Sequence, residues 1–193
     1  MRLFYAIKFD DNVKEALIDN LNEIQKYTER GSFTEKNNFH ITMVFVGECE
    51  TNKLSDLKKV IDNTVSKLNP TAIKAAIDGL GTFKRPDDEL LWAGIKTNPE
   101  SIDMLNKINK TIIEELAICN IKINDGNNKF KPHVTIARKI EFKNLQDLKQ
   151  IKFNPINFTI NSLTLMESVQ ETKIYNERRH TKIVYKPIYE VKF

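Results

Sequence analysis

The tetrapeptide His40-Ile41-Thr42-Met43 returns as His133-Val134-Thr135-Ile136, and both copies lie in strand-forming sequence, FHITMVFVG over residues 39–47 and PHVTIARKI over residues 132–140. Side chains i and i+2 of a strand share a face. Each copy therefore presents an imidazole and a hydroxyl on one face and two apolar residues on the other. Strands of this kind must bury one face and leave the other polar, which is the habit of antiparallel sheets covered on one side. Two of the three histidines of the chain are used in this way.

The rest of the chain supplies the cover. Residues 3–9 form an apolar run that ends at Asp10-Asp11, which predicts a first strand and then a helix start. Val13, Leu17, Leu21 and Ile24 recur at helical spacing to about residue 27, and a loop is expected around Gly31. After the first His strand, Leu54, Leu57, Ile61, Val65 and Leu68 mark a helix over 51–68, ended by Asn69-Pro70. Strands are predicted over 72–83 and 89–95 around a turn at 84–88. A third helix opens at Asn98-Pro99, a cap followed by a first-turn proline. A loop over 124–129 leads into the second His strand, and a short helix near 145–149 and strands over 156–169 and 181–191 complete the chain. Each His strand follows a helix and a polar loop, which suggests a degenerate internal duplication. The order predicts one α+β unit over residues 1–193 with two lobes, and an active site in the cleft between them.

Charge and cysteines narrow the classes. Thirty Lys+Arg against 26 Asp+Glu give a formal charge of +4, which permits an anionic ligand without demanding one. Cys49 and Cys119 stand far apart with no CxxC spacing, as expected of idle thiols in a reducing cytosol. Neither an export signal at MRLFYAIKFDD nor an apolar run of membrane-spanning length is found. The expectation is a cytoplasmic monomer with no membrane partner. Two histidines without an acidic partner at ligand spacing fall short of the three protein ligands usual for catalytic zinc, so no metal or other cofactor is expected.

A neutral imidazole takes a proton near pH 7 and an imidazolium gives one, so two histidines flanking a reacting centre serve as base and acid in one turnover. Threonine hydroxyls beside them suit the non-bridging oxygens of a phosphodiester. One H-x-T segment alone reads as a half-buried structural histidine; two copies in matching contexts favour catalysis. His180, in ERRHT, has no such partner and reads as a polar hairpin tip. Trp92 and Phe83 suit base stacking but equally strand packing. Lys84-Arg85 fits an RNA backbone or a solvated turn.

These residues resemble the 2H phosphoesterases, whose two H-h-[TS]-h motifs (h, hydrophobic) match at 40–43 and 133–136. RLFYAI at 2–7, HITMVFVGE at 40–48, LLWAGI at 90–95, KPHVTIAR at 131–138 and LTLMES at 163–168 are similar to the RNA 2′,3′-cyclic phosphodiesterases, also called 2′-5′ RNA ligases. The resemblance implies a bilobal fold, two antiparallel sheets lining a cleft with helices outside. It implies His40 as general acid on the leaving 3′-oxygen and His133 as the base that activates water, with the reverse assignment left open by the residues themselves. Thr42 and Thr135 would hold phosphate oxygens, and the partners would be RNA ends or nucleotide 2′,3′-cyclic phosphates. A small cyclic nucleotide or 2′-5′ oligoadenylate as substrate, reversal to ligation, and a silent nucleotide-binding module remain alternatives. Arg138 matches a family arginine for phosphate or base, yet strict alternation puts it opposite His133 unless the strand bulges. Phe4 matches a first-strand aromatic, suited to core packing or substrate contact, and Arg85 joins Trp92 as a rim candidate. The Gly-rich turn usual after the E-S strand is replaced by VQETK at 169–173, which implies a longer, more basic C-terminal hairpin.

Overall fold

A computed structural model describes residues 1–84, 88–123, 130–144, 147–175 and 178–193. In chain order the elements are β1 (Arg2–Lys8), α1 (Asp11–Gln25), β2 (Thr28–Phe33), β3 (His40–Glu48), α2 (Leu54–Leu68), β4 (Ile73–Lys84), β5 (Glu89–Lys96), α3 (Pro99–Ile118), β6 (His133–Phe142), α4 (Asp147–Gln150), β7 (Ile156–Ile160), β8 (Ser162–Tyr175) and β9 (Arg178–Lys192). The α+β class and the two His strands stand as expected. The segment around Gly31 does not: it is strand β2, paired with β6, rather than a loop. Gly31 is there because a Cβ would stand 2.8 Å from Ile140 Cδ1, so it marks a close approach within a sheet. The predicted loop over 124–129 lies outside the described residues.

The strands order as β7-β4-β5-β6-β3-β1-β8-β9, with β2 alongside β6. All described pairings are antiparallel. The two expected sheets are thus two halves, β7-β4-β5-β6 and β3-β1-β8-β9, and each His strand is the inner edge of its half. Among the described residues the halves meet at one rung, Ile41 opposite Val134.

Burial follows from the pattern. Ile41, Met43, Val134 and Ile136 are buried in the main core with Leu57, Ile61, Leu105, Ile108 and Ile112 of α2 and α3. Polar ties hold the helices in place: the Tyr5 hydroxyl donates to Leu57 O at 2.9 Å, and Asn109 Nδ2 donates to Met43 O at 2.7 Å. The start of α3 is as read, with Asn98 accepting from Ser101 N–H at 2.8 Å ahead of Pro99. β1 reads as a continuous apolar run because both its faces are covered. Leu3, Tyr5 and Ile7 face the main core, while Phe4 and Ala6 pack with Met166 and Tyr185 on the other side. No helix among the described residues is long and apolar enough to cross a membrane.

Candidate active site

The single rung between the halves arranges the motifs. In an antiparallel pair with Ile41 opposite Val134, His40 falls beside Thr135 and Thr42 beside His133. His40 Nδ1 lies 2.7 Å from Asn38 O, and His133 Nδ1 lies 2.7 Å from Lys131 O. A carbonyl only accepts, so each Nδ1 carries the proton and each Nε2 is the basic nitrogen of the neutral ring. The Thr42 hydroxyl is 2.9 Å from His40 Nε2. In both copies the residue two positions before the histidine sets its tautomer.

Each imidazole also has an aromatic setting. The rings of Phe4 and Tyr185 are both centred 5.0 Å from that of His40. Phe83 is 5.2 Å and Trp92 6.3 Å from His133, both edge-on, with Lys131 Nζ 3.9 Å above Trp92. Gly81 makes room for the indole, whose ring a Cβ there would meet at 2.3 Å. Phe4 is therefore both core and site, and Trp92 and Phe83 are half-buried beside His133. Lys84 ends β4 opposite Glu89; Arg85 lies outside the described residues. His180 is in β9 opposite Lys173, near the far end of the hairpin.

Arg138 reaches the motif face by the bulge that strict alternation lacks. Leu91 pairs with Ala137 and Trp92 with Thr135, which leaves Ile136 as the extra residue. Ile136 and Ala137 are then both buried and Arg138 shares the exposed side with His133 and Thr135. β3 does the same: Tyr5 pairs with Val44 and Ala6 with Thr42, Met43 is extra, and Phe45 takes the place equivalent to Arg138. Two adjacent apolar residues after each H-h-T, Met43-Val44 and Ile136-Ala137, are the sequence signal for this.

A cavity of about 500 Å³ opens beside His40. Its walls are His40, Thr42, Thr135 and Arg138, then Arg2, Phe4 and Phe45 from β1 and β3, residues 32–35 with Asn38, and Ser168 with Thr181, Lys182, Ile183 and Tyr185 from the hairpin. His133 is not among them. Residues 32–38 were missed from sequence because only tertiary packing brings them here.

Burial drives the His40 pKa down to about 4, against a smaller opposing pull from the Asn38 carbonyl; His133 and Arg138 lower it further. In the free protein His40 is neutral at pH 7. The unfolded chain takes up a proton at this position as pH falls below about 6.5 while the folded chain does not, so stability declines on acidification until about pH 4. The loss should be about 3 kcal/mol in all, from the linkage of a depressed imidazole pKa. Denaturant titrations of wild type and His40→Gln check it: the difference between them should change by this amount between pH 7 and 4, and a constant difference would count against a depressed pKa.

Residues 7–192 match the family described as the AKAP7 2′5′ RNA ligase-like domain. The chain belongs to this family. Within this 2H phosphoesterase group it is 26% identical over 197 residues to the RNA 2′,3′-cyclic phosphodiesterase of Thermotoga maritima, covering 100% of this chain and 96% of the relative. It is 30% identical over 166 residues to the protein of the same name from Methanocaldococcus jannaschii, covering 82% and 84%. Among solved structures, TT0787 of Thermus thermophilus superposes with a TM-score of 0.68 at 18% identity, over 100% of this chain and 97% of that one. LigT of E. coli complexed with 3′-AMP gives 0.64 at 19% identity, over 99% and 97%. At these identities the solved structures support the 2H phosphoesterase fold.

Proposed function

We propose that the chain opens RNA 2′,3′-cyclic phosphate ends to 2′-phosphates, without a metal or cofactor, acting as one monomeric unit over residues 1–193 in the cytoplasm. The observation that carries this reading is the pair of imidazoles beside one antiparallel rung, each with Nδ1 held by a backbone carbonyl so that Nε2 is the basic nitrogen. The names of the relatives supply the substrate class.

His133 Nε2 takes the proton of the attacking water, the water oxygen bonds to phosphorus, and the P–O3′ bond breaks as His40 Nε2 protonates the leaving oxygen. Thr42, Thr135 and Arg138 hold the non-bridging oxygens as charge grows on them. In a ring opening the leaving oxygen stays on the nucleoside, so the nucleoside lies on the side of the acid. The cavity beside His40 supports His40 in that role. His40 is neutral in the free protein, and an anionic phosphate near Nε2 favours its charged form, so it takes up its proton as substrate binds.

The test is purified protein with an RNA oligonucleotide ending in a 2′,3′-cyclic phosphate, in excess chelator. A 2′-phosphate product is expected. No turnover, a 3′-phosphate product, or loss of activity to chelator would each count against the reading. Parallel reactions with a mononucleotide 2′,3′-cyclic phosphate and a 2′-5′ oligoadenylate define the substrate.

A further inference from the structure

The 32–38 segment joins parts of the molecule that are remote in sequence. At one end Thr34 N–H donates to Ile136 O and Thr34 Oγ1 to Thr135 O, both at 2.9 Å, on the strand of the second motif. At the other end is Asn38, whose N–H donates to Glu35 O at 2.8 Å and which makes three longer-range or site-directed bonds. Its carbonyl accepts from His40 Nδ1 at 2.7 Å, its Nδ2 donates to Ile183 O at 2.7 Å, and its Oδ1 accepts from Tyr185 N–H at 3.1 Å. Ile183 and Tyr185 lie on β9, the last strand of the sheet, with β8 as its strand neighbour. The amide of Asn38 thus does for the free edge of β9 what one residue of a neighbouring strand would do. An apolar side chain of the same size supplies neither bond. The same stretch of β9 walls the cavity, and the Tyr185 ring lies against His40.

We propose that Asn38 is a positioning residue that locks the C-terminal hairpin and His40 into one arrangement. Its main chain sets the His40 tautomer, and its side chain holds the hairpin wall against which the nucleoside is bound. This rests on the proposed phosphodiesterase reading for its kinetic consequence, but not for its structural one.

Asn38→Ala keeps the carbonyl and removes both amide bonds. Its expected effect is a rise of about tenfold or more in KM for the cyclic phosphate substrate, with kcat changed much less, and faster hydrogen exchange at the Tyr185 amide. Asn38→Asp keeps the acceptor for Tyr185 N–H and brings a negative charge towards His40. It should retain part of the Tyr185 protection and move the acid limb of the pH profile upward. Wild-type KM together with wild-type exchange at Tyr185 in a folded Asn38→Ala protein would overturn the proposal. Should Asn38→Ala not fold, the decision rests on Asn38→Asp, where an unmoved pH profile and unchanged exchange overturn it. If wild type does not turn over RNA 2′,3′-cyclic phosphates at all, the phosphodiesterase reading fails. Exchange at Tyr185 and the nitrogen shifts of the His40 ring then decide the positioning role.

Discussion

Alanine at His40 or at His133 should each lower kcat by about 10²–10⁴-fold, the usual worth of a positioned general acid or base. The double variant should lose little more than the worse single one, because in the proposed mechanism the two groups act in one proton-transfer sequence. The folds should survive, since both rings are half-buried in the wall of the site rather than in the main core. A phosphodiester with an activated leaving group such as nitrophenolate separates the roles, since that leaving group needs no proton. It should restore much of the activity of His40→Ala and little of that of His133→Ala. Restoration in His133→Ala instead would reverse the assignment of acid and base. Both variants at wild-type activity on the cyclic phosphate would remove the catalytic reading altogether.

The second large effect is expected at the threonines. Valine keeps their shape and removes the hydroxyl, so Thr42→Val and Thr135→Val should each lower kcat/KM by about 10²-fold, the lower end of what a lost donor to a developing oxyanion costs. Thr42 carries a further role that Thr135 is not seen to share, its hydroxyl lying 2.9 Å from His40 Nε2. Its loss should therefore also move the pH profile, while Thr135→Val should leave the profile in place. Steady-state kinetics across pH 5–9 give both readouts, and a profile displaced by both valines or by neither would sink the distinction.

What could be read from the chain was what local chemistry determines. The H-h-T alternation places two polar groups over two buried ones on any half-buried strand, and Asn98-Pro99 starts a helix wherever the chain lies. Strand β2 was not readable in this way. TERGSF has neither alternation nor β-branched density, and it is a strand because it pairs with β6, with Gly31 chosen by the Ile140 methyl above it. Arg138 was half readable: alternation alone sends it to the wrong face, and the doubled apolar pair at Ile136-Ala137 corrects the phase. The Asn38 contacts to β9 span some 145 positions and leave no local trace.

The rung at Ile41 and Val134 has one further consequence. An antiparallel pair has a local twofold axis through such a rung, and that axis exchanges His40 with His133 and Thr42 with Thr135. The motifs by themselves therefore have no polarity: either histidine could face the departing oxygen. Direction must be imposed by whatever breaks the symmetry, and this lies outside the motifs, with the hairpin and residues 32–38 flanking one imidazole and Phe83, Trp92 and Lys131 flanking the other. A chain built on this duplicated ladder could reverse the sense of its chemistry by rebuilding its walls while leaving all four motif residues untouched.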